Sequence, residues 1–173
     1  NGVDTKHYAV SEERRSSPSL IRIVSTGRLV PMKSFEILVR AISKLSDLPI
    51  LLSFAGEGPL EDSLRALASE VGVADSVEFL GHVEDVRDVL EKADIFCIAS
   101  TMKESFGQSL IEAMAMRLPV VSSDYGPFSE INIDGETGFI VEAGDVDELA
   151  EKLSTLCLDP MLRQRMGRAG RKR

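Results

Sequence analysis

Cysteine is scarce in this sequence. Cys97 and Cys157 are the two present, far apart, with no C-x-x-C and no metal-ligand spacing around either of the two histidines. Such usage excludes a disulfide framework and a dedicated metal-binding motif, and both thiols are expected to be buried, in a reducing compartment. Long apolar runs are missing as well: nothing approaches the length of a membrane span, and no secretory segment opens the chain. Positive charge is the third deficit. With 20 Lys and Arg against 28 Asp and Glu, the formal net charge is −8, which argues against nucleic acid as a principal partner because phosphate binding needs a basic surface; a local basic pocket stays open. Low-complexity segments and internal repeats are also lacking. The chain opens on Asn1 without an initiator Met, so it is expected to be a fragment of a longer protein, cytoplasmic unless a targeting signal lies in the missing part.

What is present is a globular balance, 43% hydrophobic and 28% charged over 173 residues, enough for one domain with a proper core. Residues 1–19 are polar, with Pro18 and several serines, and are expected to be an interdomain linker; 20–173 form the domain. Leu20 to Ser25, Ile50 to Ala55, Val77 to Leu80, Asp94 to Ala99, Pro119 to Ser123 and Gly138 to Val141 are short apolar runs of strand type. Between them lie helical patterns: Phe35, Leu38, Ile42 and Leu45 with Pro31 in the first turn; Leu60, Leu64, Leu67 and Val71 ended by Gly72; Val86 to Leu90; and, after an Asp145 cap, Val146, Leu149, Leu153 and Leu156. Asp159-Pro160 opens a last helix ending in Arg171-Lys172-Arg173, a charge run expected to be a solvated tail.

Six strands alternating with helices predict an α/β fold, a Rossmann-like, doubly wound, parallel six-stranded sheet flanked by helices. With the common order 3-2-1-4-5-6, the switch point falls between the ends of the first and fourth strands, at Gly27-Arg28 and at Ser100 to Glu104. After the fourth strand an apolar helix is predicted from near Phe106, capped by Ser105, with Gly107 permitting close approach to its backbone. Leu110, Ile111, Ala113, Met114, Ala115 and Met116 leave it little polar face, yet Glu112 sits among them and needs hydrogen-bond donors. Glu104 lies eight residues earlier, before the N–H groups of the first turn. Two readings stand side by side: a solvated Glu104 with a core Glu112 paired to an arginine, or a pair of carboxylates flanking a ligand.

Arg28 and Lys33 are ordinary surface charges in isolation, but at a switch point fixed cations suit a diphosphate, which Arg binds bidentately. Gly56-Glu57-Gly58-Pro59 lacks the third glycine of a dinucleotide fingerprint and is taken as a turn. The first strand is followed by Gly27-Arg28-Leu29 and no G-x-G-x-x-G, which counts against a nicotinamide-dependent oxidoreductase.

Glu104 and Glu112, in Glu104-Ser105-Phe106-Gly107-Gln108-Ser109-Leu110-Ile111-Glu112 followed by Leu118-Pro119-Val120-Val121, resemble the E-x7-E motif of retaining glycosyltransferases of family four, the group 1 glycosyltransferases, which have the GT-B fold. The resemblance runs from Asn1-Gly2-Val3-Asp4, similar to the interdomain junction of that family, nearly to the last residue. It implies the C-terminal, nucleotide-sugar-binding half of a GT-B enzyme, with the N-terminal acceptor domain absent. By the same resemblance Arg28 and Lys33 bind the donor's diphosphate, Glu112 takes the ribose hydroxyls, and Glu104 contacts and positions the transferred sugar. Arg28, Lys33 and Glu104 are then the catalytic set. Ser105, Phe106, Gly107, Gln108 and Ser109 lie at the phosphate end of the helix, and Gly81-His82-Val83 lines the base pocket. The implied donor is a UDP- or GDP-linked sugar, with no cofactor and no catalytic metal required.

The implied partners are the acceptor domain, a glycan or lipid-linked glycan, and a membrane touched peripherally through the missing half at its cytoplasmic face. Polysaccharide or lipopolysaccharide assembly fits the breadth of the family. The alternatives are a nucleotide-sugar-binding module without transfer activity and a GT-B-fold epimerase. The chain departs from the family pattern at Ser34, Ser105 and Arg117, where Gly is usual, and at Pro127, which removes an N–H donor. Glu130 still fits the family's acidic position, and Asp134-Gly135 and Thr137-Gly138 are expected to be turn chemistry.

Overall fold

Strand residues that alternate between two apolar faces need a packed layer on each side, and the chain supplies both. The computed structural model describes residues 3–4, 7–8, 19–101 and 107–173. Its strands are β1 (Ile21–Thr26), β2 (Ile50–Ala55), β3 (Val77–Gly81), β4 (Ile95–Ile98), β5 (Val120–Ser123) and β6 (Gly138–Val141), all parallel, in the order β3-β2-β1-β4-β5-β6. This is the doubly wound order expected, with the switch point between β1 and β4.

Ile23, Leu52, Phe54, Ile95, Cys97 and Val121 face one core with α1 (Phe35–Ser43), α2 (Glu61–Glu70) and α6 (Val146–Leu158). Their sequence neighbours Val24, Phe96, Ile98 and Val120 face a second core with α3 (Val86–Lys92), α4 (Gln108–Ala115) and α5 (Phe128–Ile131). A period of two therefore builds both layers from the same strands. Cys97 and Cys157 are buried, and burial pushes both thiols up, Cys157 to about 11.

Helix ends follow capping chemistry. Asp145 accepts from the N–H groups of Asp147 and Glu148, both at 2.9 Å, and Asp159 accepts from Leu162 N at 2.9 Å at the start of α7 (Pro160–Lys172). Three expectations are corrected here. Pro31 does not open α1: Pro31–Lys33 is a separate 3-10 turn, because Ser34 adopts φ +51°, ψ +41° and breaks the run before Phe35. The basic end is not a free tail. Arg171 Nη1 donates to Tyr8 O at 2.6 Å and to Ala115 O, while Arg173 donates to Ile131 O and Glu130 O. Nor is α4 buried all round, since Gln108 is exposed and Ser109, Ile111 and Glu112 are half-buried.

Candidate functional site at the sheet's switch point

The parallel ladder does not stop at the end of β1. Gly27 N donates to Ala55 O at 3.0 Å and Leu29 N to Glu57 O at 2.9 Å, so the exit loop of β1 stays sewn to that of β2. Two glycines make the approach possible: a Cβ at Gly56 would lie 2.1 Å from Gly27 O, and one at Gly58 would lie 2.3 Å from Leu29 O. Arg28 thus sits exposed between two pinned residues. Lys33 folds back over the same turn, its Cε 3.3 Å and its Nζ 3.6 Å from the place a Gly27 Cβ would occupy. Both cations therefore lie at the carboxyl end of β1, where a doubly wound sheet presents its crevice.

Across the crevice, the end of β4 is fixed by Ser123 Oγ donating to Ser100 O at 2.7 Å, and Thr101 Oγ1 meets Ser34 Oγ at 2.6 Å. Glu104, Ser105 and Phe106 lie outside the described residues. The helix expected from near Phe106 begins at Gln108, with Gly107 at φ +72° as its N-terminal cap residue. A Cβ at Gly107 would also sit tightly, 3.2 Å from the side chains of Phe128 and Ile131. The N–H groups of Leu110 and Ile111 donate to Gly107 O at 3.0 and 3.2 Å, and those of Gln108 and Ser109, ahead of that turn, form the electropositive end of the helix.

Glu112 is one turn into α4. It accepts from Gln108 Nε2 at 3.1 Å and lies beside the phenol of Tyr8. Burial first, and then the Glu112 charge and hydrogen bond, push the Tyr8 hydroxyl above its ordinary value. Among the described residues Gln108 donates to it and the Tyr8 phenol lies close by, and no arginine pairs with it as the core-carboxylate reading would have it. The structure does not bring Glu112 into contact with Arg28 or Lys33; it places them on opposite sides of the switch point.

The third wall follows β3. Gly81 takes φ +66°, His82 is exposed, and Val83 is half-buried. The backbone N–H of His82 donates to Glu57 Oε1 at 3.1 Å, linking this loop to the Gly56–Gly58 turn. Glu57 and Tyr8 are residues of the site that sequence reasoning passed over, while Ser34 and Thr101 were noted without a role. Glu57 had a signal, its place between two glycines; Tyr8 depends on contacts distant along the chain. No group of three or more His, Cys, Asp or Glu side chains among the described residues is arranged to hold a metal ion.

Comparison with known proteins shows the family and the fold. Residues 11–173 match the family described as glycosyl transferases group 1. The phosphatidyl-myo-inositol mannosyltransferase of Mycobacterium leprae (strain TN) is 34% identical over 176 residues, covering 98% of this chain and 46% of the relative. Among solved structures, the C-terminal domain of the glycosyl transferase group 1 family protein LpcC from Francisella tularensis superposes with a TM-score of 0.88 at 26% identity, covering 99% of this chain and 95% of that one. Anabaena HepE in complex with UDP and glucose shares the fold, with a TM-score of 0.90 at 24% identity over 99% of this chain and 50% of its own. This chain spans somewhat less than half the length of the curated relatives it matches. The chain belongs to the glycosyl transferases group 1 family and has the fold of the C-terminal domain of a GT-B glycosyltransferase.

Proposed function

We propose that this chain is the donor-binding half of a retaining glycosyltransferase that takes a sugar from a nucleoside diphosphate and passes it to a glycan or lipid-linked acceptor. The observation that carries the reading is the convergence, in a member of this family, of the Arg28–Lys33 turn with the end of β4 at the switch point. As the bond from the anomeric carbon to the β-phosphate oxygen breaks, negative charge gathers on the leaving diphosphate. Arg28, Lys33 and the N–H groups of Gln108 and Ser109 at the start of α4 are the groups that stabilise it. Glu112 accepts from the ribose hydroxyls, exchanging its contacts with Gln108 and Tyr8 for the ligand. Glu104 orients the sugar, and the Gly81–Val83 loop borders the base.

The HepE structure, solved with UDP and glucose, supports a uridine nucleotide as the first donor to try. The Mycobacterium leprae relative, a phosphatidyl-myo-inositol mannosyltransferase, supports an acceptor that carries lipid and keeps GDP-linked donors in view. An N-terminal domain of the full-length protein supplies the acceptor site and any peripheral membrane contact, at the cytoplasmic face. No described helix of this chain is long and apolar enough to cross a membrane.

Calorimetric titration of the chain with UDP, GDP and ADP, repeated on Glu112→Ala and Arg28→Ala, tests the reading. One nucleotide should bind, and each substitution should weaken it about ten-fold or more, the loss of a charge-assisted hydrogen bond. Binding that ignores both substitutions removes the site from the switch point.

A further inference from the structure

We infer that Ser34 and Thr101 form a hydroxyl clasp across the switch point that positions Lys33 for the diphosphate of the donor. The inference rests on the donor-binding reading above and assigns a positioning role that the reading itself does not contain.

β1 and β4 are paired over only two residues, Ile23 with Ile95 and Val24 with Phe96, against six between β1 and β2. Beyond that short ladder the two exit loops need another connection, and the 2.6 Å contact between Ser34 Oγ and Thr101 Oγ1 supplies one between residues 67 positions apart. Ser34 is 1% exposed, so the contact is shielded from water on that side.

The backbone at Ser34 is the second observation. Its φ of +51° is a conformation glycine takes freely and other residues take at a cost. Such strain persists where the surroundings over-determine it. Here the N–H of Ser34 closes the 3-10 turn on Pro31 O at 3.1 Å, its carbonyl accepts from Ile37 N at 3.0 Å to start α1, and its hydroxyl is held by Thr101. Lys33 is the residue immediately before, and its side chain extends from the end of that turn over Gly27. Glycine would relieve the strain but would lose the hydroxyl, so conformation and tether make opposite demands on this position.

That opposition gives a test that a merely structural serine would not pass. The chain is titrated with UDP and with UMP, which keeps base and ribose but lacks the β-phosphate, and its melting temperature is recorded. Ser34→Gly should melt no lower than the wild type, yet lose about three- to ten-fold of the affinity advantage of UDP over UMP, the range for one neutral hydrogen bond. Thr101→Val should lose the same advantage, and Thr101→Ser should keep it. The pair Ser34→Ala with Thr101→Val should lose no more than either alone. Arg117→Gly, another relief of positive φ but remote from the crevice, should raise the melting temperature and leave the UDP-to-UMP ratio untouched.

An unchanged ratio in Ser34→Gly and Thr101→Val, or additive losses in the double variant, overturns the clasp while leaving the donor reading intact. If the wild type prefers another base, GDP with GMP or ADP with AMP replaces the pair. A wild type that binds none of them overturns the donor reading and the clasp with it.

Discussion

Replacing Gly56 by alanine should damage this protein far more than its modest volume suggests, and the structure says by how much. The added Cβ would lie 2.1 Å from the Gly27 carbonyl oxygen and 2.8 Å from its carbon. An ordinary carbon–oxygen contact needs about 3.3 Å, so one backbone must retreat by about 1.2 Å. The retreat gives up the hydrogen bond from Gly27 N to Ala55 O, costing about 1 kcal/mol. The φ of +148° at Gly56 adds about 1–3 kcal/mol for a residue with a side chain. Against this, stiffening the unfolded chain returns about 0.4–1 kcal/mol. The net is a loss of about 1–3.5 kcal/mol, or a fall of about 2–14 °C in melting temperature for a chain of this size.

Gly72→Ala is the matched control. Gly72 also has a positive φ, +77°, but nothing lies within 4 Å of where its Cβ would be, so the left-handed penalty acts alone, about 1 kcal/mol or less after the same unfolded-state return. Thermal unfolding followed by circular dichroism separates the two. The retreat also moves the peptide that carries Arg28, so nucleotide affinity should fall in Gly56→Ala and not in Gly72→Ala. Melting temperatures within about 2 °C of each other would refute the claim that the exit loops of β1 and β2 are locked backbone to backbone.

Two further outcomes concern pH. In a Tyr125→Phe background, which leaves Tyr8 as the chain's one tyrosine, phenolate absorbance should titrate above the ordinary 10.0, and Glu112→Gln should bring the midpoint down. Because the folded value is the raised one, the contact contributes stability fully below pH 10.0 and loses it as pH rises through the folded midpoint; a midpoint indifferent to Glu112 refutes the contact. Asp85, the N-cap of α3, is held at about 2 instead of 3.8, chiefly by the side-chain hydrogen bond from Arg87. Its contribution is present above pH 3.8 and disappears as pH falls through about 2. The melting-temperature gap between wild type and Asp85→Asn should therefore narrow over that window, and a constant gap counts against the ion pair.

The sheet is legible in the sequence because its central strands β1, β4 and β5 are apolar on both sides. Ile23 and Val24, Ile95 and Phe96, and Val120 and Val121 are neighbours that enter opposite cores, and such two-sided runs separated by helical patterns admit few arrangements besides a doubly wound sheet. Ile50–Ala55 and Gly138–Val141 keep the bounds read from sequence, while other strands shift by a residue or so where loop hydrogen bonds extend or trim the ladder. Arg171 shows the opposite case. A basic run ordinarily reads as solvated, but this guanidinium is held by the carbonyls of Tyr8 and Ala115, and backbone acceptors supplied by distant segments leave no mark on residue type.

The glycine positions that this chain does not fill with glycine show how residue identity and backbone conformation separate. Ser34 and Arg117 both stand where the family resemblance sets a glycine, and among the described residues they are the non-glycine positions with positive φ. At Arg117 the reason is geometric. Its N–H donates to Met114 O and that of Leu118 to Ala113 O, the paired bonds that end α4 through a left-handed residue and turn the chain into β5. Gly167 of α7 rests directly against the Arg117 carbonyl, 2.0 Å from where a Cβ would be, so that carbonyl has no room to swing into another conformation. At Ser34 the left-handed turn joins the Lys33 loop to α1. In both places the packing imposes the conformation and the residue accommodates it. At these two positions the departure from glycine therefore marks a site of stored strain. Only at Ser34 does the side chain reach across the crevice, so the strain there is coupled to the site and at Arg117 it is not.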